Sequence, residues 1–150
     1  MTHNTMQKYT TTSNKETFAL AKKFAQTLRG GEVIALYGNL GAGKTVFAKG
    51  IAAGLGVITT ITSPTFTLMN VYPVKRRGIT TLVHIDCYRL HNASELVAIG
   101  VSEYLNNPQT VTVIEWAERV ESLLAKKVVT INLVVIENTH RRITIANSKN

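Results

Sequence analysis

Residues Val33–Thr45 read VIALYGNLGAGKT. The first five are apolar without polar alternation, the pattern of a short strand buried on both faces. Gly38, Gly43, Lys44 and Thr45 then occupy the fixed positions of G-x-x-x-x-G-K-[ST]. The run KTVFAKGIAAGLG that follows sets Phe47, Ile51 and Leu55 on one face of a helix that Gly56 can terminate. Strand, glycine-rich turn and helix in this order are the context in which that spacing makes a phosphate-binding loop. Glycines permit positive φ, so successive backbone N–H groups can converge on phosphate oxygens, and the helix N-terminus turns its dipole toward the same charge. Lys44 is expected to bridge the β- and γ-phosphates and Thr45 to place its hydroxyl on Mg²⁺. At average residue usage the four positions would coincide by chance in about one chain of this length in two hundred.

On the N-terminal side, SNKE (Ser13 to Glu16) has the form of a capping box, and Phe18, Ala21, Phe24, Ala25 and Leu28 recur at helical spacing. This predicts a first helix that ends near Gly30 and Gly31, with residues 1–12 outside it and open to flexibility. Downstream, FTLMNVY (Phe66 to Tyr72) and TTLVHIDCY (Thr80 to Tyr88) read as strands that can pair as a hairpin around the basic VKRRG. NASELVAIGVSEYL predicts one or two short helices with Ser94 and Ser102 as N-caps. TVTVIEW (Thr110 to Trp116) is a second buried-type strand, followed by a helical AERVESLL. VVTINLVVIE and RRITIAN alternate well enough to form a final antiparallel pair across Asn138 to His140. The expected fold is α/β and P-loop NTPase-like. Its central mixed sheet has parallel strands at the nucleotide site, antiparallel edge strands and helices on both faces, in one domain over residues 1–150.

The 150 residues suffice for one core, and 45% hydrophobic with 17% charged residues is the balance of a soluble globular chain. No apolar run reaches the length of a membrane span, and the N-terminal stretch lacks a signal-peptide pattern, so a cytoplasmic location is expected. The net charge of +8 favours an anionic partner, but the basic residues, densest at Lys75–Arg77 and Arg141–Arg142, lack the aromatic interleaving of single-strand RNA platforms. They read as solvated faces. The single cysteine, Cys87, lies in an apolar run and reads as a small buried hydrophobe.

Hydrolysis needs more than a phosphate cradle: a carboxylate near the metal, a positioned water and a group that senses the γ-phosphate. Asp86 and Glu115 each end a strand of the buried type, where either could serve Mg²⁺ or water. SPTF (Ser63 to Phe66) lies where P-loop proteins place a responsive loop, with Thr65 supplying a hydroxyl. His84 and Asp86 share a strand face, but with no third ligand evident a hydrogen-bonded histidine is the better reading and zinc is not assigned. Trp116, the lone tryptophan, can pack near the nucleotide or anchor the core. No N-K-x-D follows the loop, so guanine specificity is unsupported.

GNLGAGKT, SPTFTL, HIDCYRL and IEW, in this order and spacing from about Ser13 to Glu118, resemble the bacterial TsaE (YjeE) family. The resemblance implies an ATPase subunit of tRNA threonylcarbamoyladenosine biosynthesis that binds ATP or ADP with Mg²⁺ and hydrolyses ATP weakly alone. It further implies docking on a TsaB–TsaD pair, which modifies the adenosine beside the anticodon of tRNAs reading ANN codons. Contact with tRNA would be indirect. Carried over, the loop Gly38, Asn39, Leu40, Gly41, Ala42, Gly43, Lys44 and Thr45 holds the phosphates, and Thr45 and Glu115 contact Mg²⁺. Asp86 is then the active-site carboxylate, Trp116 and Glu118 lie near the nucleotide, and Thr65 belongs to a mobile loop. Asn39 departs from the family's usual Asp and removes a negative charge beside the phosphates, so nucleotide binding should survive while any metal-orienting role of that Asp is in doubt. Cys87 stands where Leu is usual, an apolar change of little expected consequence. Two other functions fit a P-loop: a small metabolite kinase, which would respond to its acceptor, and a nucleotide-gated binding module, whose hydrolysis would be incidental.

Overall fold

The computed structural model describes residues 5–64, 67–124 and 127–147. Strands β1 (Met6–Thr11), β2 (Val33–Tyr37), β3 (Met69–Arg76), β4 (Ile79–Asp86), β5 (Thr110–Glu115), β6 (Val128–Glu137) and β7 (His140–Asn147) form one sheet ordered β1-β7-β6-β2-β5-β4-β3. The four central strands β6, β2, β5 and β4 are parallel, and antiparallel pairings add β7 and β1 on one side and β3 on the other. This is the mixed α/β architecture that the sequence predicts.

The two apolar central strands are buried almost throughout because helices cover both faces. Alternation along β2 divides the core: Ile34 and Leu36 face α1 (Asn14–Ala25) and α2 (Lys44–Gly54), meeting Ala21, Phe47 and Ile51. Val33 and Ala35 face the other way, toward Leu96 of α3 (Ser94–Ala98), Val101 of α4 (Val101–Leu105) and Val120 of a 3₁₀ segment, Ala117–Leu123. Cys87 is fully buried in that second cluster. Between α1 and α2 the spacing is set by missing side chains. A Cβ on Gly50 would stand 2.5 Å from the Ala21 Cβ and 2.6 Å from the Phe18 carbonyl oxygen, and one on Gly54 would stand 2.5 Å from the Lys22 carbonyl oxygen.

The α1 start follows the capping box, with Ser13 Oγ accepting from the Glu16 N–H at 3.1 Å and the Glu16 carboxylate accepting from the Thr12 N–H at 2.6 Å. Its end falls at Ala25, well before Gly30. The cause is tertiary: Arg76 of β3 donates to the Ala25 and Gln26 carbonyls, each at 2.7 Å, and so satisfies the terminal acceptors of the helix. The short helices do not use the serine caps. Ala93 precedes α3, and the Asn92 side chain takes the Ser94 N–H at 3.0 Å, while Gly100 with φ +90° precedes α4 and puts Ser102 inside its first turn. The AERVESLL stretch is 3₁₀ rather than α-helix, broken at Val120 (φ −134°) where that buried side chain turns into the core.

Two strands also differ from expectation. β1 occupies part of the segment expected to be flexible. Its side chains are exposed except Thr11, so it has no apolar alternation; backbone pairing with β7 and a 2.7 Å bond between the Thr11 and Thr17 hydroxyls hold it. β3 begins at Met69, after Leu68 at φ +63°, and continues through the basic residues to Arg76, so the hairpin turn is confined to Arg77 and Gly78.

Candidate functional site

The glycine loop leaves the C-terminal end of β2, the end of a parallel sheet at which α/β folds form ligand sites. Strand register brings the two acids there: Glu115 is opposite Leu36 of β2 and also opposite Asp86 of β4. A cavity of about 510 Å³ opens at this edge, lined by Gly41, Gly43, Lys44, Thr45, Asp86, Glu115 and Trp116 among others.

The loop conformation requires glycine at two points. Gly43, the residue before α2, has φ +104°. Gly38 has φ +153°, and a Cβ there would stand 2.6 Å from the Leu133 carbonyl oxygen of β6, so the strand backs directly onto the loop. Lys44 is buried and folds back, its Nζ donating to the Gly38 carbonyl and, at 3.0 Å, to the Asn39 carbonyl. The same ammonium lies 4.0 Å from the centroid of the Trp116 ring, a cation–π distance. Desolvation pushes its pKa below the ordinary lysine value, opposed by the charges of Glu115, Glu118 and Asp86.

Glu115 is buried and bound at both oxygens. Its Oε1 accepts from the Thr45 hydroxyl at 2.8 Å and its Oε2 lies 2.6 Å from His84 Nε2. His84 is thus the hydrogen-bonded strand histidine of the sequence reading, with its Nδ1 buried and without a partner among the described residues. Asp86 is more open: its Oδ2 accepts from the Ser63 hydroxyl at 3.3 Å and its Oδ1 from the Tyr88 N–H at 3.0 Å. Trp116 is held at φ +58° with its ring centroid 5.0 Å from that of Tyr88. Among the described residues no three His, Cys, Asp or Glu side chains gather as a metal cage. The oxygens available to a divalent cation are instead a hydroxyl and carboxylates. That set fits Mg²⁺, which takes one or two protein ligands and completes its shell with water and phosphate.

Lys44, Thr45, Asp86, Glu115 and Trp116 therefore meet in one cavity with Gly41 and Gly43. Leu40 also lines it but is 75% exposed. Ala42 is buried with its carbonyl turned to Arg141, and Asn39 is exposed. Glu118 is exposed and reaches the site through its charge on Lys44. Thr65 lies outside the described residues. Sequence reasoning missed Arg141, whose Nε and Nη2 donate to the Ala42 and Gly41 carbonyls at 3.2 Å each. No local pattern marks it: the contact spans 99 residues and depends on how β7 is carried past β6. The partnership of His84 with Glu115 was equally hidden, since it joins neighbouring strands 31 residues apart.

A parallel αβ core with this loop at the strand ends and two acids in register beside it defines a P-loop NTPase-like α/β protein. The family model described as "Threonylcarbamoyl adenosine biosynthesis protein TsaE" matches residues 11–143, and so includes most of the C-terminal hairpin. The chain belongs to the TsaE family. It is 48% identical over 119 residues to the tRNA threonylcarbamoyladenosine biosynthesis protein TsaE of Treponema pallidum, covering 79% of this chain and 84% of that one. Identity to the Bacillus subtilis protein of the same name is 39% over 137 residues, covering 91% and 83% of the two chains. The crystal structure of Bacillus subtilis YdiB superposes with a TM-score of 0.77 at 33% identity, covering 100% of this chain and 90% of that one. No helix among the described residues is long and apolar enough to cross a membrane.

Proposed function

We propose that this chain is the ATP-binding and ATP-hydrolysing subunit that acts with TsaB and TsaD in threonylcarbamoyladenosine modification of tRNA. The modified base in this reading is the adenosine next to the anticodon of tRNAs reading ANN codons, and tRNA is reached through the complex. The observation that carries the reading is the convergence of Lys44, Thr45, Glu115 and Trp116 on the glycine loop of a TsaE-family chain.

Mg²⁺ bound with the nucleotide would neutralise phosphate charge and hold the phosphate chain in one conformation. Lys44 exchanges its carbonyl partners for phosphate oxygens, so that donor and acceptor are both ionised and the bond is stronger. Thr45 and Glu115 are the residues that would hold the metal, and the His84 bond keeps the Glu115 carboxylate aimed at the loop. Asp86 holds its carboxylate at the cavity wall through Ser63 and the Tyr88 N–H, where it can orient the attacking water. Trp116 covers the Lys44 ammonium and limits its access to bulk water.

The test is ATP turnover with Mg²⁺, alone and with purified TsaB and TsaD, using Lys44→Ala as the blank. Turnover that rises on adding the pair and disappears in the variant is the expected result. A rate indifferent to the pair would overturn the coupling role, and equal turnover by Lys44→Ala would overturn the site.

A further inference from the structure

Arg141 sits on β7, outside the site as the family motifs define it, yet its guanidinium is committed to four backbone carbonyls. Two are in the glycine loop: Ala42 and Gly41, each at 3.2 Å. The others are Asn138 at 2.6 Å and His140 at 3.1 Å, in the turn between β6 and β7. One planar group therefore ties the loop to the hairpin behind it.

A loop that receives an anion must keep its carbonyl dipoles from pointing at that anion. Lys44 occupies the Gly38 and Asn39 carbonyls, and Arg141 occupies those of Gly41 and Ala42. The peptide unit is planar and trans, so its C=O and N–H point in opposite directions. Holding the Ala42 carbonyl on Arg141 consequently fixes the Gly43 N–H on the opposite side. Phosphate would draw Lys44 away from its two carbonyls, whereas the Arg141 contacts are made by a different cation and can persist.

Building on the nucleotide-site reading above, we propose that Arg141 is a positioning residue that holds the glycine loop in its anion-receptive shape by clamping it to the β6–β7 turn. The planar fork is the essential feature. Lysine at this position would keep the charge but could not span four separate carbonyls.

The experiment compares Arg141→Ala and Arg141→Lys with Arg142→Ala, an exposed neighbour whose loss removes the same charge. ADP affinity with Mg²⁺ is measured by calorimetry, and amide hydrogen exchange of residues 41–44 is measured without nucleotide. Arg141→Ala should weaken ADP binding about tenfold, the scale of one lost charge-assisted hydrogen bond, and Arg141→Lys should recover only a small part of this. Loop exchange should quicken in both, and Arg142→Ala should match the parent protein in both measurements. The proposal is overturned if Arg141→Ala binds within twofold of the parent, if lysine restores full affinity, if Arg142→Ala loses as much, or if loop exchange is unchanged. Should the parent itself fail to bind ADP, the nucleotide reading falls, and the exchange measurement still decides whether Arg141 clamps the loop.

Discussion

Replacing His84 by leucine tests the buried pair at the centre of the site. His84 and Glu115 are both nearly inaccessible, at 1% and 2% exposure, and their 2.6 Å bond is the only partner of Glu115 Oε2 among the described residues. Leucine is close to histidine in volume and enters the sheet face that carries Leu82 of the same strand and Val113, its register partner on β5, both buried and apolar, so cavity formation and overpacking are both small. The dominant effect is the carboxylate left behind. Removing the hydrogen-bond partner of a buried carboxylate oxygen costs about 3 kcal/mol, and burying leucine in place of imidazole offsets about 1 kcal/mol. A net loss of about 2 kcal/mol in a domain of this size lowers Tm by roughly 4–8 °C. Calorimetric melting and urea titration measure it directly. The same substitution in a Glu115→Leu background should be neutral or stabilising, because the orphaned group there is the histidine. A His84→Leu protein that melts within 1 °C of its parent, or one that loses the same stability in both backgrounds, would refute the reasoning.

Gly50→Ala should destabilise despite alanine's better helix propensity. The propensity gain is about 1 kcal/mol, whereas the new Cβ meets a backbone carbonyl of α1 at 2.6 Å and forces the helices apart at a cost of about 1–3 kcal/mol, so a raised midpoint in urea would contradict the packing described. Burial, and after it the charge of Asp86, pushes the Cys87 thiol up to about 12 from an ordinary value of 9.0. The native thiol should therefore resist disulfide reagents at pH 8 and react only on unfolding. Because the unfolded thiol ionises first, its contribution to stability is complete below pH 9 and is lost as pH rises toward 12. Subtracting a Cys87→Ala profile from that of the parent isolates this slope, and parallel profiles would refute it.

The strand–loop–helix reading at Val33–Thr45 needed no tertiary information, because every feature in it is local: an apolar run, glycines at turn positions and a helical period. The α1 start was local in the same sense, since its capping box closes within four residues. The α1 end was not, because Arg76 arrives from 51 residues away to satisfy the last carbonyls. Strand β1 was missed for a related reason. It pairs through its backbone and buries almost no side chain, so its sequence has little apolar pattern to show.

The residues that gather in the cavity were already marked in the sequence: Lys44 and Thr45 through their fixed spacing from Gly38, and Asp86 and Glu115 through their place at the ends of apolar strands. Only the tertiary structure decided how those residues are held. Parallel register put Asp86 opposite Glu115 and gave Glu115 a histidine from the next strand, and the antiparallel pairing of β7 with β6 brought Arg141 onto the Gly41 and Ala42 carbonyls. Local patterns report turn geometry and burial. Contacts between distant segments depend on strand order and register, which the packing of the whole sheet selects.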